Sequence, residues 1–78
     1  MDLKDRVRDI FREVFDNENL VISEEMSSVD IDGWDSFAHI NLIVAIEEKF
    51  GVSFTTAEMG LLIQVGDILN LLSRKGVM

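Results

Sequence analysis

The stretch from residue 35 to 51, DSFAHINLIVAIEEKFG, constrains this chain more than any other. At about 100° per residue, His39, Leu42, Ile43, Ile46 and Phe50 gather on one side of a helix, the stripe that an amphipathic helix buries. Phe37, Ile40 and Val44 gather on a different side, bordered by Asn41, Glu47 and Glu48. A helix at the edge of a small bundle needs only one buried face. The second stripe is therefore either covered by another part of the chain or left exposed for a partner, with acids around it to orient the encounter. The helix is expected to begin at Asp35 or Ser36 and to run to about Phe50, with Gly51 as its stop. Asp35 suits the N-cap: its carboxylate can accept a backbone N–H and favours the positive helix end.

The rest of the chain supplies what that helix packs on. Leu3, Val7, Ile10, Phe11, Val14 and Phe15 follow helical spacing with charged residues between them, which predicts a first helix over 2–15. Residues 16–35 have no sustained period, and so long a connection in a small chain is unusual and often functional. Leu20, Val21, Ile22, Met26, Val29 and Ile31 suggest a loop pinned across the core. Thr55 and Glu58 form a capping-box pattern that opens a short third helix, with Gly60 expected to end it. A last helix follows, with Val65, Ile68, Leu69 and Leu72 inward and Gly76 as stop. Gln64 before it is a weaker cap than threonine, so that end is expected to fray. Nothing alternates like a strand pair. The expected fold is all-α: a small four-helix bundle of three longer helices and one short one, forming one domain over 1–78.

Composition removes several function classes. A chain of 78 residues has no length for a second core, and a deep cleft enclosed on all sides does not fit so small a body, which argues against an enzyme. With no cysteine and one histidine, disulfide frameworks, thiolate metal sites and typical zinc sites are excluded. The longest near-apolar run, INLIVAI, is too short to span a bilayer, and the N-terminus has no apolar signal core. A soluble, cytoplasmic, monomeric protein is expected. A net charge of −8 disfavours nucleic acid and anionic membranes and favours partners with basic patches.

Ser36 lies at the boundary between the two faces of the central helix, on its first turn, and is placed to be exposed. Serine at a helix start is ordinarily a cap. Asp35, Ser36 and His39 hold the residue types of a catalytic triad, and a serine and histidine three apart can be neighbours on a helix, but the adjacent aspartate points elsewhere and no nucleophile elbow is visible. Asp30, Asp32 and Gly33 have the spacing of a calcium loop, yet Ser28 and His39 stand where its two ends need acids. A cap and an attachment point remain.

GWDSFAHINLIVAIEEKFGVSF resembles the phosphopantetheine-attachment region of acyl carrier proteins. The shared elements are the Asp35-Ser36-Phe37 triplet opening the helix, its ending in Glu47, Glu48, Lys49, Phe50 and Gly51, and the later VGDILNLL, so that the resemblance covers nearly the whole chain. It implies that Ser36 receives 4′-phosphopantetheine from coenzyme A through a separate phosphopantetheinyl transferase, with Asp35 as cap and recognition residue. Acyl or aminoacyl intermediates would ride as thioesters on the arm's thiol, and the protein itself would catalyse nothing. Phe37, Ile40, Val44, Glu47 and Glu48 would dock acyl-loading and acyl-processing enzymes through their basic surfaces, and Leu42, Ile46 and Phe50 would line an acyl pocket. Phe37 replaces the family's usual leucine, and Ala38 and Asn41 stand where acids are common. These departures suggest a carrier for a specialised pathway, in polyketide, lipid or aminoacyl chemistry rather than standard fatty-acid synthesis. The alternative is an unmodified acidic interaction module in which Ser36 is a cap alone.

Overall fold

The computed structural model describes residues 2–77 and contains four helices: α1 (Leu3–Val14), α2 (Ser36–Phe50), α3 (Thr56–Leu61) and α4 (Val65–Arg74). Each begins and ends where local chemistry requires. Asp2 caps α1 by accepting the Asp5 N–H at 2.9 Å. Gly51 closes α2 in the left-handed conformation (φ 66°), where a Cβ would be strained.

α1 packs against α2 and α4. Arg6, near the start of α1, lies over the Phe50 ring at the end of α2. Phe11 and Phe15, near the end of α1, meet Trp34 just before the start of α2. The two helices are therefore antiparallel. Their shared core contains Val7, Ile10, Phe11, Leu42, Ile43 and Ile46, joined from α4 by Val65, Ile68 and Leu72.

The long loop is pinned across this core as expected, but not by all of its apolar residues: Val21 and Val29 are exposed. Ile22, Ile31 and Trp34 are all buried. The loop also anchors α4. Met26 O accepts the Val65 N–H at 2.9 Å and Glu24 O accepts the Gly66 N–H at 3.0 Å. These carbonyls satisfy donors that a helix start leaves unpaired. Asp67 reaches back to accept the Ile63 and Gln64 N–H groups at 3.1 and 2.9 Å. The fraying expected from Gln64 is thus countered by the loop carbonyls and by Asp67 within the helix. Gly66 is what lets the loop come so near, because a Cβ there would stand 3.1 Å from Glu24 O. No strand forms among the described residues; Ser27 and Gln64 share an isolated bridge.

α3 differs from expectation in one respect. Gly60 does not stop it: the helix continues to Leu61, and Leu62 is the C-cap. Thr55 and Glu58 form the reciprocal capping box, with Thr55 N–H to Glu58 Oε1 at 2.8 Å and Glu58 N–H to Thr55 Oγ1 at 3.1 Å. Lys75, after α4, donates to the same Glu58 oxygen at 3.1 Å. α3 has no buried residue of its own, so these polar ties and the buried Leu62 behind it hold it in place.

Candidate functional site

The site is assembled where the long loop turns into α2. Gly33 takes a φ of 86°, and the turn closes through the Trp34 N–H to Ile31 O at 3.2 Å and the Asp35 N–H to Gly33 O at 3.0 Å. Trp34 is driven inward, 5% exposed, and meets Phe11 edge-on at 5.4 Å between centroids. With Trp34 inward, Asp35 emerges at the N-cap. Its Oδ1 accepts the Ala38 N–H at 2.8 Å and its carbonyl accepts the His39 N–H, also at 2.8 Å.

Ser36 is the first residue of α2 and is exposed. Its hydroxyl makes no hydrogen bond to any described residue, and the backbone N–H groups of Ser36 and Phe37 are likewise without partners. Capping belongs to Asp35. The serine is left with an accessible hydroxyl, two free N–H donors beside it and the positive end of a 15-residue helix behind it. This donor set fits a phosphate ester on the hydroxyl.

An open cavity of about 650 Å³ adjoins it, lined by Ser28, Trp34, Asp35, Ser36, His39, Ile40, Met59, Gly60, Leu62 and Ile63. Its walls come from α2 on one side and from α3 with its exit on the other. Inside it the Trp34 indole N–H donates to His39 Nδ1 at 3.0 Å, with the two ring planes 20° apart.

These contacts exclude the hydrolase reading. With Nδ1 already accepting, the neutral ring's proton sits on Nε2, and no lone pair is left to take a proton from Ser36. The Asp35 carboxylate serves the Ala38 N–H and makes no bond to His39. No group of three or more His, Cys, Asp or Glu suited to a metal gathers among the described residues, and Asp30 instead accepts the Ser27 N–H at 3.0 Å.

The second stripe of α2 is exposed rather than covered by the loop: Phe37 is 75%, Ile40 62% and Val44 45% accessible. Glu48 is also exposed. Glu47 is half-buried, and its Oε2 accepts the Phe54 N–H at 2.8 Å. Leu42 and Ile46 are closed within the core, and Phe50 lies beneath Arg6. None of the three lines the cavity beside Ser36, which α2 borders only through Ser36, His39 and Ile40 near its start. His39, expected on the core stripe, opens onto the cavity instead. Sequence reasoning did not find Met59, Leu62 and Ile63 as cavity walls, since six residues of α3 are too few to show a periodic face. The Trp34–His39 bond also went unseen. Its one signal was an indole and an imidazole five residues apart across a helix start.

No family model matches the chain. It is 31% identical over 72 residues to the acyl carrier protein of Campylobacter curvus, covering 92% of this chain and 94% of the relative. Among solved structures it matches the solution NMR structure of holo acyl carrier protein from Geobacter metallireducens, with a TM-score of 0.88 and 41% identity. That match covers 96% of this chain and 86% of the other.

Proposed function

Because this chain belongs to the acyl carrier protein family, we propose that Ser36 bears its 4′-phosphopantetheine and that the exposed stripe of α2 is its docking face. The family consists of carriers, not enzymes, and the structural neighbour is a holo acyl carrier protein, which supports a covalently attached 4′-phosphopantetheine. The arm supplies the thiol on which an acyl group is held as a thioester, a thiol this cysteine-free chain lacks. A phosphopantetheinyl transferase and acyl-processing enzymes are accordingly its partners.

One observation carries the assignment to Ser36: the residue is exposed and its hydroxyl idle, while Asp35 performs the capping that would otherwise explain a serine there. Asp35 holds the first turn, and the free N–H groups of Ser36 and Phe37 face the charge a phosphodiester brings. Phe37, Ile40 and Val44 offer apolar contact beside Glu47 and Glu48, which suits an enzyme surface that is apolar at its centre and basic at its rim. The first turn of α2 contains no acid, which supports a dedicated partner set over the standard fatty-acid enzymes.

Incubation of purified protein with coenzyme A, Mg²⁺ and a broad-specificity transferase tests the assignment by intact mass. Wild type should gain one phosphopantetheine and Ser36→Ala none. Modification of the Ser36→Ala protein would move the attachment elsewhere. No gain by wild type with several active transferases would leave an unmodified interaction module.

A further inference from the structure

Resting on Ser36 as the attachment point, we propose that His39 is a positioning residue for the arm, its Nε2–H donating to the phosphodiester on Ser36 and holding it against the first turn of α2. The hydrogen bond from Trp34 is what makes His39 fit for this. An indole nitrogen can only donate, so the acceptor 3.0 Å away, His39 Nδ1, must be the unprotonated nitrogen. The neutral ring then has its proton on Nε2.

The arrangement is held in place. Trp34 is buried and wedged edge-on against Phe11, and the imidazole lies nearly parallel to the indole, with centroids 6.0 Å apart, held by that hydrogen bond. Turning the imidazole over would leave a buried indole N–H without its acceptor, which buried donors avoid. Nε2–H itself has no partner among the described residues. His39 and Ser36 border the same cavity. Residues three apart are neighbours on a helix surface, and helical side chains lean toward the N-terminus, so His39 leans back toward the turn that carries Ser36.

A phosphodiester there would meet two backbone donors from Ser36 and Phe37 and a third from His39. The histidine adds a directed donor without adding charge. The arm's first bonds would then lie along the cavity mouth rather than sweep freely through solvent.

The test compares apo and holo protein, with loading verified by intact mass. A failure at Ser36 therefore shows as missing mass before anything else is measured. In apo protein, long-range ¹H–¹⁵N correlations of His39 should show the Nε2-protonated tautomer. A proton found on Nδ1 overturns the premise. In holo protein, the Nε2–H should become slower to exchange. The ³¹P resonance of the phosphodiester should shift between wild type and His39→Phe. His39→Gln, which places an amide N–H at similar reach, should return it toward wild type, and backbone amide spectra of each variant verify the fold. Identical ³¹P shifts and arm relaxation in wild type and His39→Phe overturn the proposal. Slower loading of His39→Phe with no ³¹P difference also overturns it, by making His39 an enzyme contact.

Discussion

Asp35 and Ser36 are neighbours with separable duties, and stability measurements distinguish them. Asp35→Ala removes the carboxylate that accepts the Ala38 N–H and should cost about 1 kcal/mol in urea unfolding, as other N-cap losses do. Ser36→Ala removes an exposed hydroxyl with no partner among the described residues, and should leave stability within about 0.5 kcal/mol of wild type. A Ser36→Ala loss as large as that of Asp35→Ala would return the serine to a structural role. The sequence placed both residues at the helix start, because the change from polar loop to apolar run is a local signal. It could not divide the capping between two adjacent residues that both favour that position. Trp34 was harder to place: its inward turn depends on the Gly33 conformation and on Phe11, far away along the chain.

At the scale of elements, α3 is the least anchored helix and the one whose hold depends on pH. The Thr55 backbone N–H, and after it the Lys75 side chain, keep the Glu58 carboxyl below the usual carboxylate range. The folded state therefore favours the ionised form more than the unfolded chain does. This contribution is fully present above the ordinary carboxylate range and is lost as pH falls through the lowered value. Acidification should loosen α3 before the core formed by α1, α2 and α4. Amide exchange at residues 55–61 followed against pH would report it, and Glu58→Gln should flatten the response. An unchanged pH profile in Glu58→Gln would assign the loosening to another carboxylate. The three longer helices were legible because each joins a periodic stripe to an end signal. Gly60 misled because glycine away from a left-handed turn costs a helix only about 1 kcal/mol, which the capping box and the Lys75 contact offset. The strength of the α4 start was invisible, since its hydrogen-bond partners are carbonyls about forty residues earlier.

For the molecule as a whole, charge and shape act together. No lysine or arginine occurs from residue 13 to residue 48, a span that includes the long loop and most of α2, and none of the helices is long and apolar enough to cross a membrane. Such a surface should draw basic partners from a distance, so association rates with a loading enzyme should fall as ionic strength rises. Stopped-flow measurement against salt would show a shallower slope for Glu48→Gln than for wild type, and equal slopes would remove Glu48 from the docking face. The overall charge was plain in the sequence; whether the second stripe of α2 lay open was not, because the loop had enough apolar residues to cover it and its path settles the matter. Glu47 illustrates what folding adds to composition. With Oε2 fixed on the Phe54 N–H, its side chain has already surrendered the rotational freedom that binding would otherwise remove, a loss of roughly 0.5–1.5 kcal/mol for a flexible side chain. A free glutamate such as Glu48 surrenders that freedom at each encounter; Glu47 did so once, when the chain folded.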